Sequence, residues 1–99
     1  SVSSKLNVRR QIVRASLGAN VSENFISHRI VKRLKLQVHS DPSAAVEATW
    51  GLVRIPLTND YVSLACYLQE GNRYVTHRFY VVKICSFDLL CSAGLIKYR

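Results

Sequence analysis

The feature that most constrains the fold is a series of strand-forming segments separated by short turn sequences. Three segments are rich in Val, Ile, Tyr, Thr and Leu, which suit the half-buried surface of a sheet: residues 46–55, 61–68 and 74–84. Turn residues separate them at 58–60 and 70–72. Because Gly71 and Asn72 lie between two such segments, the last two are predicted to form a β-hairpin.

Shorter elements are predicted at both ends of the chain. Two short strands, 6–8 and 12–17, flank Arg9-Arg10-Gln11, and another apolar strand is predicted at 87–91. A basic amphipathic helix is predicted over 27–36, and residues 93–98 suit one or two helical turns. About seven short strands and two short helices indicate a mainly β chain that forms a small closed or folded β domain.

Length and composition suit one globular domain over residues 1–99. The chain has 99 residues, of which 48% are apolar, and no linker-like stretch divides it. It lacks an apolar run of the roughly 18 residues that a spanning helix needs, and its first residues do not resemble a signal peptide. No membrane association is therefore expected.

The cysteines and histidines do not predict a metal or cofactor site. Cys66, Cys85 and Cys91 are odd in number and lack C-x-x-C spacing, so buried free thiols are expected. Such thiols suit an intracellular protein, cytoplasmic or nuclear. The three histidines lack ligand spacing: His28, His39 and His77. No cofactor is expected.

The formal net charge of +8 favours an anionic partner without specifying which one. Part of the excess lies on the predicted helix, at Arg29, Lys32, Arg33 and Lys35. A solvated helix face explains these residues, and an anion-binding surface for nucleic-acid phosphates is the alternative. Aromatic residues are not interleaved with these charges, as they are in single-strand binders.

Several short motifs, in order, resemble the retropepsin family, and most closely the aspartic proteases of retrotransposons. These motifs are Val13-Arg14-Ala15, Asn24-Phe25-Ile26-Ser27, Phe79-Tyr80-Val81-Val82 and Phe87-Asp88-Leu89-Leu90. The active-site segment of that group reads V-R-A-L-hydrophobic-D-(S/T)-G-A-x-x-N-F-I-S. The resemblance covers roughly residues 6–98. It implies a retropepsin-like fold, a small closed β-barrel of short strands and hairpins with one or two short helices. It also implies a homodimer in which each subunit supplies one catalytic aspartate.

The catalytic aspartate of that pattern has no counterpart here. In the ungapped register its D-(S/T)-G-A falls on Gly18, Ala19, Asn20 and Val21. A register shifted by two residues places Ser16 at the aspartate position instead. Asn20, where the family has glycine, is expected to adopt a left-handed backbone conformation.

The end of the resemblance departs from the family as well. Ser92 replaces a family glycine, and Gly94 replaces an Asp or Asn. The three aspartates of the chain, Asp41, Asp60 and Asp88, do not lie in a D-(S/T)-G context.

The resemblance also implies that a hairpin covers the cleft, where Trp50, Gly51 and Leu52 are possible contacts for a peptide. A core position for Trp50 is equally compatible with its size.

Three functions stay open. The first is a catalytically inactive module of a larger protein for homodimerisation or for binding an extended peptide or partner protein. The second is an active aspartic protease whose register is misread or whose sequence carries an inactivating change. The third is a basic nucleic-acid-binding module.

Overall fold

A computed structural model describes residues 3–8, 11–68 and 73–96. Within these residues the chain forms nine strands and two short helices. The strands are β1 Ser3–Val8, β2 Gln11–Gly18, β3 Asn24–Ser27, β4 His39–Ser40, β5 Val46–Trp50, β6 Val53–Thr58, β7 Asp60–Leu68, β8 Arg73–Val82 and β9 Leu89–Ser92. The helices are α1 His28–Arg33 and α2 Ala93–Ile96.

Seven strands form one mixed sheet in the order β1-β2-β9-β3-β8-β7-β4, and β5 and β6 form a separate hairpin. The pairs β2–β9 and β3–β8 are parallel, whereas the other pairs are antiparallel. The prediction of a mainly β fold with two short helices is confirmed. The hydrogen-bonded series of described strands is open at β1 and β4, however, rather than closed into a ring.

The predicted strands are observed with changes at their ends. β7 and β8 pair from Tyr61 opposite Tyr80 to Leu68 opposite Arg73, as the hairpin prediction requires. The turns predicted at 9–11 and 70–72 fall wholly or mainly on residues 9–10 and 69–72, which lie outside the described residues. Segment 46–55 is not one strand, because the chain reverses at Gly51, whose φ is 62°.

The basic helix is shorter than predicted. The Ser27 hydroxyl accepts a hydrogen bond from the backbone N–H of Arg29, which caps the first turn. Leu34 caps the other end, and Lys35 follows with a φ of 54°. This left-handed residue ends the helix before residue 36.

Two groups of buried side chains form the core. The larger group packs β2, β3, β7, β8 and β9 against α1 and includes Val13, Ile26, Ile30, Phe79 and Leu89. The second group lies between the sheet, the loop after β2 and the β5–β6 hairpin. We call it the cleft cluster, and its buried members are Val21, Phe25, Ile55, Tyr80, Val82, Phe87 and Leu90.

Candidate functional site

The candidate site is the loop that follows β2, at residues 18–21. Gly18 ends the strand opposite Ser92 of β9. The loop turns tightly, since the Val21 N–H donates to the Gly18 carbonyl oxygen at 3.0 Å. The Val21 carbonyl in turn accepts from the N–H of Ala93 at 3.2 Å. Backbone hydrogen bonds therefore fix the loop beside the start of α2.

Asn24 joins the strands beneath this loop. Its side-chain oxygen accepts from the Ser92 N–H at 2.8 Å, and its amide nitrogen donates to the Arg78 carbonyl at 3.4 Å. The hydroxyl of Ser92, where the family has glycine, accepts from the Leu95 N–H at 3.3 Å. Asn24 was not a predicted site residue, although it begins the Asn-Phe-Ile-Ser match.

The backbone of Gly18 lies where a side chain would collide with its neighbours. An added Cβ would be 2.8 Å from Cγ2 of Val21, 3.0 Å from Cβ of Val21 and 3.2 Å from Cδ1 of Leu90. Atoms of side chains meet at about 3.5 to 4.0 Å when contact is favourable. The buried Val21 thus occupies the space that a residue larger than glycine would need.

The prediction for Asn20 is wrong. In the described part of the chain, Lys35 is the one non-glycine residue with a positive φ. The φ of Asn20 is therefore not positive. Ala19 and Asn20 are exposed, whereas Gly18 and Val21 are buried. The turn closes through its backbone hydrogen bond without left-handed geometry.

Each of the three aspartates is held outside this loop. Asp41 pairs with Arg78 at 2.9 Å, and Asp60 accepts from the Ser40 hydroxyl. The Arg78 guanidinium, followed by the hydroxyl and N–H of Ser43, lowers the pKa of Asp41 below its usual value. Asp88 accepts from Arg29 at 3.0 Å.

The β5–β6 hairpin lies over the cleft cluster. The rings of Trp50 and Phe87 meet edge to face with centroids 5.8 Å apart. Trp50 is half-buried, so the core alternative describes it better than an exposed peptide contact does. Leu52, next to the turn at Gly51, is fully exposed.

Of the four basic residues predicted to bind anions, Arg29 has partners within the chain. The Arg29 guanidinium donates to the carbonyls of Cys85 and Phe87 at 2.8 and 2.9 Å, besides its contact with Asp88. These contacts of Arg29 join the segment between β8 and β9 to α1. The other three are exposed: Lys32, Arg33 and Lys35.

The three cysteines are free, as predicted, but only Cys91 is buried, whereas Cys66 and Cys85 are half-buried. Burial raises the pKa of all three thiols, and that of Cys91 reaches about 11. They are protonated near neutral pH, which makes them poor nucleophiles.

In the ranges 3–8, 11–68 and 73–96, no group of three or more His, Cys, Asp or Glu could hold a metal ion. The described helices are all too short to cross a membrane.

Comparison with known proteins identifies the fold. No protein-family model and no curated protein matches the chain. Among solved structures, it is similar to the retroviral protease-like domain of Ddi1 from Leishmania major. The TM-score is 0.61 at 14% identity, over 96% of this chain and 71% of that one. The fold of the chain is therefore retropepsin-like.

Proposed function

We propose that the chain is a catalytically inactive retropepsin-like domain that serves a larger protein as a module for homodimerisation or protein interaction. The observation that carries this proposal is the packing at Gly18. The residue aligned with the catalytic aspartate has no side chain, and Val21 occupies the space beside it.

The chemistry of an aspartic protease requires two carboxylates that share a proton and activate a water molecule. Gly18 cannot exchange a proton, and Ala19 has no hydroxyl to orient a carboxylate. Asp88, which is close in space to β2, accepts from the Arg14 N–H at 3.2 Å and from the Arg29 guanidinium. These contacts suit a structural carboxylate better than a general base.

The hydrogen bonds that position the loop do not involve an aspartate. Asn24, the Ser92 N–H and the Ala93 N–H hold β3, β9 and the loop together. The loop can therefore keep its shape after its catalytic group is lost. Such a preserved framework favours a scaffold role, in which a symmetric pair of domains keeps its mutual interface.

A role in peptide binding belongs to the same proposal. An extended peptide can bind through backbone hydrogen bonds at a strand edge. The β5–β6 hairpin is a separate two-stranded sheet, so each of its strands has one neighbour within the described residues. Leu52 and Gly51 at its turn are the exposed contacts that we assign to such a peptide.

Peptide hydrolysis tests the loss of activity. The purified chain is incubated with a mixture of unstructured peptides at acidic and neutral pH, and the products are identified by mass spectrometry. We expect no cleavage above the level without protein. Cleavage that Asp88→Asn abolishes would contradict the proposal, because it would assign catalysis to a carboxylate of this chain.

The exposed Lys32, Arg33 and Lys35 favour the competing function, nucleic-acid binding. Titration of a fluorescent oligonucleotide at increasing salt distinguishes nucleic-acid binding from the proposed scaffold role. If nucleic acid is the ligand, affinity falls steeply with salt and falls further when these three residues become glutamine. Under our proposal, saturable binding is absent at physiological ionic strength.

A further inference from the structure

Residues 41–59 leave the seven-stranded sheet and return to it at one place, and we call them the lid segment. Ser40 of β4 pairs with Asp60 of β7, directly before and after this segment. The N–H of Asp41 donates to the carbonyl oxygen of Asn59 at 3.0 Å. The two ends of the lid segment are therefore fixed together, and the β5–β6 hairpin extends from that base.

Apolar packing holds the hairpin over the cleft cluster. Ile55 is 1% exposed and belongs to that cluster, and Val46, Ala48 and Trp50 pack against it. The Trp50 ring also meets the ring of Phe87. Within the described residues, β5 and β6 pair with each other and not with the seven-stranded sheet. The lid segment can therefore move away from the cleft cluster without breaking a strand pair.

An ion pair joins the base of the lid segment to β8. Oδ2 of Asp41 accepts a hydrogen bond from the Arg78 guanidinium at 2.9 Å. Oδ1 of Asp41 accepts from the Ser43 hydroxyl at 2.7 Å and from the Ser43 N–H at 3.2 Å. Because the contacts with Ser43 already orient the carboxylate, less side-chain entropy is lost when it pairs with Arg78.

The sheet in turn positions the side chain of Arg78. The guanidinium carbon lies 4.0 Å from the centroid of the Tyr61 ring, and a cation within about 6 Å of an aromatic centroid is attracted to the ring. Tyr61 contacts Tyr80, a buried member of the cleft cluster, with centroids 6.0 Å apart. Arg78 therefore connects a carboxylate of the lid segment to aromatic side chains of the sheet.

The same ion pair is accessible to ions in solution. The side chains of Arg78 and Asp41 are 45% and 27% exposed. Exposed charge pairs are screened as salt rises, because the Debye length falls from about 10 Å at 0.1 M to about 3 Å at 1 M. The contact between Asp41 and Arg78 should therefore weaken with salt, whereas the apolar packing of the hairpin is not held by charge.

We propose that the Asp41–Arg78 pair, positioned by Tyr61, is a latch that keeps the lid segment closed over the cleft cluster. Loss or screening of the pair increases the fraction of molecules in which the lid segment is open and the apolar side chains under it are accessible. Access to the cleft therefore depends on ionic strength. This inference rests on the contacts of the lid segment and does not depend on the proposed dimer or on the loss of catalysis.

Alkylation of a thiol introduced by Ile55→Cys tests the latch in the whole chain. Ile55 lies against the cleft cluster, so uncharged iodoacetamide reaches this position when the lid segment opens, and the labelling rate follows the open fraction. Mass spectrometry of the digested protein separates this site from Cys91, which is buried in the larger core group. Labelling of Cys91 therefore reports unfolding of the main core in the same sample.

Two substitutions in this background remove the latch, Asp41→Asn and Arg78→Gln. The first is the milder one, because it leaves Arg78 on the Tyr61 ring. The matched control is Arg54→Gln, which removes the same charge from an exposed position of β6. Thermal unfolding checks that all variants are folded.

We expect labelling of the introduced thiol to become about threefold to fivefold faster in each latch variant. The double variant should show no further increase, because both substitutions remove the same contact. Neither Arg54→Gln nor the labelling rate of Cys91 should show this increase. Raising NaCl from about 0.1 M to about 1 M should speed labelling in the parent but not in Asp41→Asn.

Unchanged labelling in both latch variants would overturn the proposal, because the ion pair would then not hold the lid segment. An equal increase at Cys91 would also overturn it, since the substitutions would then lower the stability of the whole chain. The same holds if Arg54→Gln has an equal effect, or if salt speeds labelling equally in Asp41→Asn, because both results indicate a diffuse effect of charge.

Discussion

Gly18 has no room for a side chain, whereas Gly51 has room but a backbone that side chains disfavour. An added Cβ at Gly18 collides with Val21, and one at Gly51 has no atom within 4 Å. The φ of Gly51 is 62°, in the left-handed region. The two glycines are therefore required for different reasons, steric at the candidate site and conformational at the hairpin.

A double-mutant cycle tests the packing at Gly18. Gly18→Ala should lower the free energy of unfolding by about 1–3 kcal/mol, because the new methyl group overpacks the space beside Val21. Val21→Ala should also destabilise, because it removes buried methyl groups. The double variant should lose less than the sum, since the smaller side chain makes room for the added one. Urea denaturation measures the free energy of unfolding of all three variants. If the losses in the two single variants add up to the loss in the double variant, the proposed collision is contradicted.

The thiol of Cys91 makes the free energy of unfolding depend on pH, and the direction of its pKa shift gives the sign of that dependence. Burial raises its folded-state pKa from 9.0 to about 11, with a smaller contribution from Cys66. Below pH 9 the thiol is neutral in both states, and between these values the unfolded chain loses the proton first. The stability contribution of this group therefore falls as pH rises from about 9 to about 11.

Unfolding curves of the wild type and of Cys91→Ala measure this effect. Alanine leaves a cavity that lowers stability at every pH, but it removes the ionisable thiol. The variant should therefore lose stability less steeply than the wild type over that pH interval. Equal slopes would show that the Cys91 thiol does not have a raised pKa.

At the scale of secondary-structure elements, the contact between Trp50 and Phe87 is one of those by which the β5–β6 hairpin packs on the cleft cluster. Trp50 is the one tryptophan of the chain, so tryptophan fluorescence reports on the surroundings of this side chain. Phe87→Ala should move the Trp50 emission to longer wavelength and increase quenching by acrylamide, because the ring loses its edge-to-face partner and meets more water. Leu57→Ala, on the same hairpin but exposed, is the control. An unchanged spectrum in Phe87→Ala would mean that the hairpin is held elsewhere.

The sequence predicted those elements whose signals are local. Alternating β-rich residues around Gly71 and Asn72 indicated the β7–β8 hairpin, and the apolar face of α1 indicated a helix. The end of α1 was misplaced, because no residue type at 34–36 signals a helix end and the left-handed Lys35 is not a glycine or asparagine. Gly51 could have divided segment 46–55, but the strand-forming residues on both sides favoured one continuous strand.

The sequence matches before and after residues 18–21 predicted a candidate loop there, but not its packing. Those four residues include no carboxylate. The contact between Val21 and the backbone of Gly18 depends on how the turn closes, which residue type alone does not determine. The Arg29 contacts join residues 56 to 59 positions apart, so no local pattern reveals them.

At the scale of the whole molecule, the small size of the chain favours association with a partner. A domain of this length buries only about two thirds of the surface that its unfolded chain exposes. We propose that the domain forms a scaffold by pairing with a second copy. Since the chain carries a net charge of +8, self-association must rely on contacts other than charge attraction.

Sedimentation equilibrium at low and high salt tests the central claim, which is that the domain persists as a self-associating scaffold. Raising NaCl from about 0.1 M to about 1 M shortens the Debye length from about 10 Å to about 3 Å. We expect a dimer at both concentrations, because an interface of packed strands is not held by long-range charge. A monomer at both concentrations would contradict the claim.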